Sequence, residues 1–309
     1  MSKIKLKEKI GYALGDGAAN IAWRGVATFL FIFYTDVFGL SPITVGVLFL
    51  VARFGDGISD ILMGIIGDRT NTKYGKFRPW ILWTAIPLAV ILALLFSNPD
   101  FNDSGKIVYA YITYILFTLI YTANNIPYGA LMAVMTGDDK ERASLGSYRM
   151  VGAFAGGMLV QGALLYLVAS FGNINPNIDV QNIENDTYKV VVSSADNYEN
   201  VNIKTENGIA KFSYTDKKEE PSIGKSFSMI ANEEYTFLVS GEKNLDVSSI
   251  SIINQDKGYS NAMYLMSIVL ALLMLITFYT TKERVQPPKA QKNNLLRDFK
   301  DLVKNKFKI

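Results

Sequence analysis

Asp56 and Asp60 are the residues whose type and spacing point most directly to chemistry. They lie in the stretch 48–64, inside an apolar run long enough to cross a bilayer, and Arg53 lies three residues before Asp56. A charged side chain at the centre of a membrane helix costs about 2.5–3.5 kcal/mol on insertion scales, so such groups mark function more often than packing. A separation of four puts both carboxylates on one helix face, one turn apart, with Ser59 beside them. Two carboxylates and a hydroxyl at this pitch offer oxygen ligands to a small hard cation, or a seat for a proton. The chemistry implied is that of a coupling-ion site in a transporter. The structural alternative is one Arg53 ion pair with a spare carboxylate. Two acids one turn apart in lipid count against it, because at least one must be ion-bound, paired or protonated.

The elements that would carry these residues follow from hydropathy. The chain has 309 residues, of which 50% are hydrophobic, and its formal net charge is +3. It has no cysteine and no histidine, which excludes disulfides, thiol catalysis, histidine bases and histidine metal ligands. Six apolar-rich stretches of about 20 residues or more, the length a bilayer needs, fall near 10–38, 42–66, 79–97, 107–135, 145–171 and 260–280. The basic N-terminus precedes an apolar run too long for a signal peptide and without a small-residue cleavage site.

Basic residues in the connections set the expected orientation. Lys3, Lys5, Lys7 and Lys9, then Arg69, Lys73, Lys76 and Arg78, then Lys140 and Arg142, then Lys282, Arg284, Lys289, Lys292 and Arg297 all fall on one side if the spans alternate. That side is read as cytoplasmic, with both termini inside a cell (inner or plasma) membrane.

Residues 172–259 break the pattern, with no arginine and 8 lysines against 14 acidic residues. Lying between the fifth and sixth spans, they face outward. Alternating runs at Tyr188–Val192, Ala210–Tyr214 and Tyr235–Val239, with turn signals at Asn207-Gly208 and Ser240-Gly241, predict a small β-sandwich-like insert. Its role is open between a lid or spacer and contact with surface proteins or the envelope. Asn185-Asp186-Thr187 fits a glycosylation sequon, a weak signal. After Pro287-Pro288, residues 293–303 read as an amphipathic helix on the inner membrane surface. The expected organisation is therefore spans one to five in 1–171, the insert in 172–259, span six in 260–281 and a cytoplasmic loop in 282–309.

Other spans carry polar groups as well. Asp16, Asn20 and Arg24 recur every four residues in the first span, with Trp23 beside them. They read either as an interhelical network, with Arg24 neutralised by Asp56 or Asp60, or as a substrate face with Arg24 open to an anion. The fourth span holds Thr118, Tyr121, Thr122, Asn124 and Asn125 before Pro127. A ring to stack and amides for hydroxyls suit a sugar, and the alternative is ordinary helix packing. Arg149 and Gln161 lie in the fifth span, whose Gly146, Gly152, Gly156, Gly157 and Gly162 are read as packing residues. The loop Gly64 to Lys73 matches the G-x-x-x-D-R pattern of major facilitator transporters, in which Asp68 and Arg69 would form an inner-face charge latch.

Taken together, several motifs closely resemble the glycoside–pentoside–hexuronide:cation symporter family, the melibiose-permease-like branch of the major facilitator superfamily. They are Gly15-Asp16-Gly17-Ala18-Ala19-Asn20, Tyr34-Thr35-Asp36-Val37-Phe38-Gly39-Leu40, Leu50-Val51-Ala52-Arg53 with Asp56 and Asp60, Lys73-Tyr74-Gly75-Lys76-Phe77-Arg78-Pro79-Trp80, Tyr121-Thr122-Ala123-Asn124-Asn125-Ile126-Pro127-Tyr128 and Thr281-Lys282-Glu283-Arg284. The resemblance implies an all-α membrane protein: the six-helix N-terminal bundle of the major facilitator fold, here with a β-rich extracytoplasmic insert. It implies cation binding by Asp56, Ser59, Asp60 and Thr122. It also implies substrate contacts from Asn20 and Asn125, and Asp16, Arg24, Tyr121 and Arg149 are read as further substrate contacts beside them. Asn20 and Asn125 fall where melibiose permease has two aspartates that bind galactoside hydroxyls, and the amide pair is more similar to pentoside and hexuronide members. Arg24 departs from the family pattern and is read as meeting a carboxylate or sulfate on the substrate.

The implied partners are a small glycoside, the bilayer and a C-terminal six-helix half on the same or another chain, with no nucleic acid. No cofactor is expected beyond the transported Na⁺, Li⁺ or H⁺. Family members have twelve spans, so this chain is expected to supply one half, as a truncated gene, a partial chain or a split transporter. Two other readings are a lysolipid or amphiphile carrier on the same scaffold, and a non-transporting membrane protein that presents the insert as receptor or anchor. No nucleophile constellation or cofactor motif suggests an enzyme.

Overall fold

The computed structural model describes residues 3–184, 187–205, 211–214, 227–240 and 245–285. Asn185 and Asp186 of the sequon, Asn207-Gly208, Ala210, Gly241, Pro287-Pro288 and the amphipathic segment 293–303 lie outside the described residues, as do Lys289, Lys292 and Arg297.

Six long helices occur where six apolar stretches were expected. They are α1 (Leu6–Gly25), α2 (Pro42–Arg69), α3 (Arg78–Leu95), α4 (Asp103–Met135), α5 (Asp139–Gly172) and α6 (Gln255–Thr280). Two π-helical turns, Val26–Leu30 and Phe33–Val37, continue α1 to the end of the first stretch. Four helices, α3 to α6, are long and apolar enough to cross a membrane. The apolar runs of α1 and α2 are interrupted by charges, Asp16 and Arg24 in one and Arg53, Asp56 and Asp60 in the other.

Several helices begin before the apolar residues do, because capping groups start them. Ser41 accepts from Thr44 N, Asn102 from Gly105 N, Asp138 from Lys140 N and Glu141 N, and Asn254 from Lys257 N. Each cap satisfies an amide that the first turn leaves unpaired. As a result α6 starts at Gln255, five residues before the apolar stretch that announced it.

The bundle packs α1 against α5 and α6, α3 against α4 and α6, and α2 against α4. Glycines permit the closest approach. A Cβ on Gly152 would stand 2.0 Å from the Ala13 carbonyl oxygen, and one on Gly156 would stand 2.2 Å from that of Gly17. Gly146 and Gly162, also expected to serve packing, meet nothing within 4 Å. The core is dominated by fully buried aromatics, among them Tyr12, Phe33, Tyr34, Phe38, Phe96, Phe117 and Tyr128. The faces of α2 turned away from α4 are apolar and open, with Phe54 75% and Ile58 65% exposed. An apolar outer face of this kind belongs against lipid or another helix bundle.

Between α5 and α6 the described residues form eight strands: β1 (Asn173–Ile174), β2 (Asn177–Glu184), β3 (Thr187–Ser193), β4 (Tyr198–Thr205), β5 (Lys211–Tyr214), β6 (Phe227–Met229), β7 (Glu234–Ser240) and β8 (Ile250–Asn254). They make two antiparallel sheets of order β1-β8-β4-β6 and β2-β3-β7-β5. Alternation does the sorting: Tyr188, Val190 and Val192 of β3 point inward, opposite Val239, Phe237 and Tyr235 of β7. These residues share one core with Val201, Ile203, Ile250 and Ile252 of the other sheet, so the two sheets pack face to face.

The sandwich is pinned to the bundle through Asp256 in the first turn of α6. One carboxylate oxygen accepts from Asn98 Nδ2 in the α3–α4 connection at 2.9 Å, the other from Asn200 Nδ2 in β4 at 2.7 Å. Asn200 sits at an irregularity in the β4–β6 register with φ of 52°, a left-handed conformation that asparagine tolerates better than most side chains.

Candidate functional site

The expected cation residues come from two helices that pack together. Thr122 of α4 donates from Oγ1 to Asp60 Oδ1 of α2 at 3.1 Å, across 62 residues of sequence. Ser59 spends its hydroxyl hydrogen on the Asp56 backbone carbonyl at 3.0 Å, so its oxygen remains only as an acceptor. Asp56 faces Arg53 Nη1 at 3.9 Å, a long ion pair whose arginine is 65% exposed. The two carboxylates therefore have different partners: Asp60 is held by a neutral hydroxyl, Asp56 by a loose cation. The proposed ligands Asp56, Ser59, Asp60 and Thr122 lie in one region, on one helix turn of α2 and the facing turn of α4. Among the described residues no third acidic group completes a resident metal cluster.

Arg53 links this region to the aromatic one. Its guanidinium lies 5.3 Å from the Trp23 ring centroid, and Trp23 stacks on Tyr121 at 5.4 Å with an interplanar angle of 30°. Cation–π attraction and offset stacking each contribute about 0.5–1.5 kcal/mol. Asp56, Arg53, Trp23 and Tyr121 thus form a continuous chain of contacts from α2 through α1 to α4. The roles of Trp23 and Arg53 in this chain were not legible in the sequence, where Trp23 registered only as a neighbour of the polar face.

Asp16 and Arg149 are brought together, at 3.2 Å between Oδ2 and Nε, joining α1 to α5. Asp16 is 7% exposed, and Arg149 also lies 5.4 Å from the Tyr128 ring. Removing Arg149 would strand the buried Asp16 carboxylate, which makes this pair a constraint on the α1–α5 register. Asn20 donates to the Asp16 backbone carbonyl at 2.9 Å, leaving its side-chain oxygen as an acceptor. Asn125 is half-buried on α4, while the adjacent Asn124 is fully buried and donates to Thr84 Oγ1 at 2.7 Å. The two amides thus face different surroundings: Asn124 is a packing residue, and Asn125 is the more open one.

Arg24 corrects one expectation. Neither Asp56 nor Asp60 neutralises it, since the first faces Arg53 and the second Thr122. Arg24 is exposed, with its aliphatic stem 3.5 Å from where a Gly157 Cβ would stand, and among the described residues it has no ion pair. The network reading of the first span therefore holds for Asp16 and fails for Arg24.

At the end of the bundle that carries the N-terminus, Asp68 in the last turn of α2 pairs with Lys76 of the α2–α3 connection at 2.9 Å. Arg69 is exposed and makes no ion pair among the described residues. The tighter contacts there were not anticipated. Glu283 accepts from the backbone amides of Lys76, Phe77 and Arg78 at 2.8, 2.8 and 2.9 Å, capping α3 from more than 200 residues away. Arg284 Nη2 reaches both carboxylate oxygens of Glu8 at 2.7 Å, and Lys9 pairs with Glu141 at 2.8 Å. In the sequence this network shows only as the separate motifs Lys73 to Trp80 and Thr281 to Arg284, with nothing to join them.

The family profile described as MFS/sugar transport protein matches residues 11–195, more than half of the chain. An inner membrane symporter of Escherichia coli (strain K12) is 47% identical over 178 residues, 58% of this chain and 39% of the relative. An isoprimeverose transporter of Lactiplantibacillus pentosus is 42% identical over 165 residues, 53% of this chain and 34% of the relative. A glucuronide carrier protein homolog of Escherichia coli (strain K12) is 41% identical over 145 residues, 47% of this chain and 32% of the relative. The matched stretch therefore spans less than two fifths of the length of these relatives. A match over this range, together with four helices apolar enough to cross a membrane, places the chain: it belongs to the MFS/sugar transport protein family, whose members it resembles are transporters and not enzymes.

Proposed function

We propose that this chain forms the N-terminal six-helix half of a cation-coupled sugar symporter. All six helices then cross a cell membrane, both termini are cytoplasmic and the β sandwich faces outward. A C-terminal six-helix half, on the same or another chain, completes the carrier and supplies the other wall of the cavity. The relatives' names, a symporter, an isoprimeverose transporter and a glucuronide carrier homolog, support a glycoside substrate.

The observation that carries the reading is the contact of Thr122 with Asp60, because it joins a membrane carboxylate on α2 to the helix that also presents Tyr121. Asp56, Ser59, Asp60 and Thr122 are oxygen ligands of the kind a Na⁺, Li⁺ or H⁺ ion takes. An arriving cation competes with Arg53 for Asp56. Movement of Arg53 alters its contact with Trp23, and so the Trp23–Tyr121 platform on which a sugar ring stacks. Cation and sugar then favour one another's binding, and linkage makes the effect reciprocal. Asn20 and Asn125 offer amide groups to sugar hydroxyls, and Arg24 offers an unpaired charge to an anionic substituent. The Asp16–Arg149 pair holds α1 and α5 in register at the same face. Asp68 and Arg69 serve as the inner-face latch when the bundle rocks against its partner in alternating access.

The test is ion-driven uptake by the carrier containing this chain and its complementary half, in vesicles. Asp60→Asn is expected to abolish accumulation against a gradient while leaving the Thr122 hydrogen bond possible and the bundle folded. Uphill accumulation by Asp60→Asn at the wild-type level would refute the coupling site.

A further inference from the structure

A groove on the outer surface of the bundle plays no part in the transport reading. It lies between α1 and α6 at the end that carries the N-terminus, with a volume of about 360 Å³. Leu6, Ile10 and Leu14 form one wall, recurring every four residues on α1, and Ile276 of α6 forms the other. The floor is Gly11 against Thr280, two residues so close that a Cβ on Gly11 would meet the threonine hydroxyl at 1.8 Å. That hydroxyl donates back to the Ile276 carbonyl at 2.7 Å, so the floor presents no free donor to a ligand. The groove is accordingly apolar along its length, and its one charged lining group is Lys7.

Lys7 differs from its neighbours. Glu8 is bound by Arg284 at 2.7 Å and Lys9 by Glu141 at 2.8 Å. Lys7 is exposed and, among the described residues, has no ion pair or hydrogen bond, and the same holds for Lys3 and Lys5. An apolar slot with an unpaired ammonium in its lining is complementary to a chain of methylenes that ends in an anion.

We infer that this groove holds an acyl chain of an anionic phospholipid, with the headgroup phosphate at Lys7. Basic pockets between membrane helices at the cytoplasmic leaflet have the charge to select anionic headgroups, and lysine stems reach along apolar surface to place the ammonium at that level. The inference rests on the helices spanning the membrane with the N-terminus inside. It does not depend on the cation or sugar residues.

The experiment is native mass spectrometry of the purified 309-residue chain in a mild detergent, with phosphatidylglycerol or phosphatidylcholine of identical acyl chains added. The chain is expected to retain phosphatidylglycerol several-fold more than phosphatidylcholine. Lys7→Gln should reduce that retention several-fold, Lys7→Arg should keep it, and the double variant Lys3→Gln, Lys5→Gln should keep most of it. Glycerol phosphate at the same concentration should fail to displace the lipid, because it has no chain to fill the slot. Equal retention of the two lipids would overturn the proposal, as would an unchanged Lys7→Gln. So would an equal loss in the double variant, which would indicate diffuse surface charge, or displacement by glycerol phosphate, which would indicate a bare phosphate site. Lipid selectivity can fail in this way while ion-driven uptake stays intact, so the two readings are separately testable.

Discussion

If the proposed function holds, Arg24 is the side chain on which substrate choice turns. Its exposed guanidinium has no carboxylate partner among the described residues, whereas Arg149 is matched to Asp16 and Arg53 to Asp56. An exposed arginine without a counter-ion favours an anionic ligand, most strongly a planar carboxylate that can accept two hydrogen bonds. Arg24→Gln is therefore expected to reduce uptake of an acidic glycoside about tenfold or more, equivalent to about 1.4 kcal/mol, while a neutral glycoside is affected little. Competition uptake with the two substrate types measures this directly. Equal uptake of the acidic glycoside by wild type and variant would remove Arg24 from the site. The type and spacing of Asp56, Ser59 and Asp60 were visible in the sequence, because helical pitch alone puts them on one turn. The partners of Arg24 were not, because an ion pair between helices is decided by their packing.

At the level of the helices, α1 and α5 meet backbone to backbone. Gly152 faces Ala13 and Gly156 faces Gly17, backbone against side-chain-free surface. Without a hydrophobic drive between helices in lipid, such close packing is a main source of association. Gly156→Leu should force the pair apart and break the Asp16–Arg149 contact at 3.2 Å. Overpacking costs typically about 1–3 kcal/mol, so a lowered thermal unfolding midpoint in detergent is expected, with a much smaller change for Gly162→Leu, which has nothing within 4 Å. Equal midpoints for the two variants would show that the close approach contributes no stability. The glycines were legible as candidates. Which of them meet a neighbour depends on helix rotation, and Gly146 and Gly162 turned out to face open space.

On the scale of the whole molecule, the β sandwich is more than an appendage on α5 and α6. Asp256 ties it to the α3–α4 connection through Asn98 and to β4 through Asn200. Asp256→Ala removes the acceptor for both amides, and a buried polar group left unsatisfied costs about 1–3 kcal/mol. Amide hydrogen exchange in β4 (Tyr198–Thr205) is expected to accelerate, with the bundle core unchanged. Unaltered exchange in β4 would mean that the β1–β8 pairing alone holds the sandwich in place. Strand alternation made the sheets foreseeable at Tyr188–Val192 and Tyr235–Val239, which became β3 and β7. Their arrangement as two four-stranded sheets, with β8 between β1 and β4, required long-range contacts, such as Asn173 opposite Ile253.

What the sequence determined by itself was the local physics. Apolar length announced the six helices, polar capping residues extended them, period-two alternation marked the strands, and four-residue spacing aligned Asp56 with Asp60. These follow from neighbours along the chain, whose geometry is fixed by backbone pitch. Only the tertiary structure decided which carboxylate meets which partner on another element: Asp60 with Thr122, Asp16 with Arg149, and Glu283 on the amides at the start of α3. Those choices depend on how helices rotate and cross, and a charge in a low-dielectric bundle takes whichever complement that packing brings within reach.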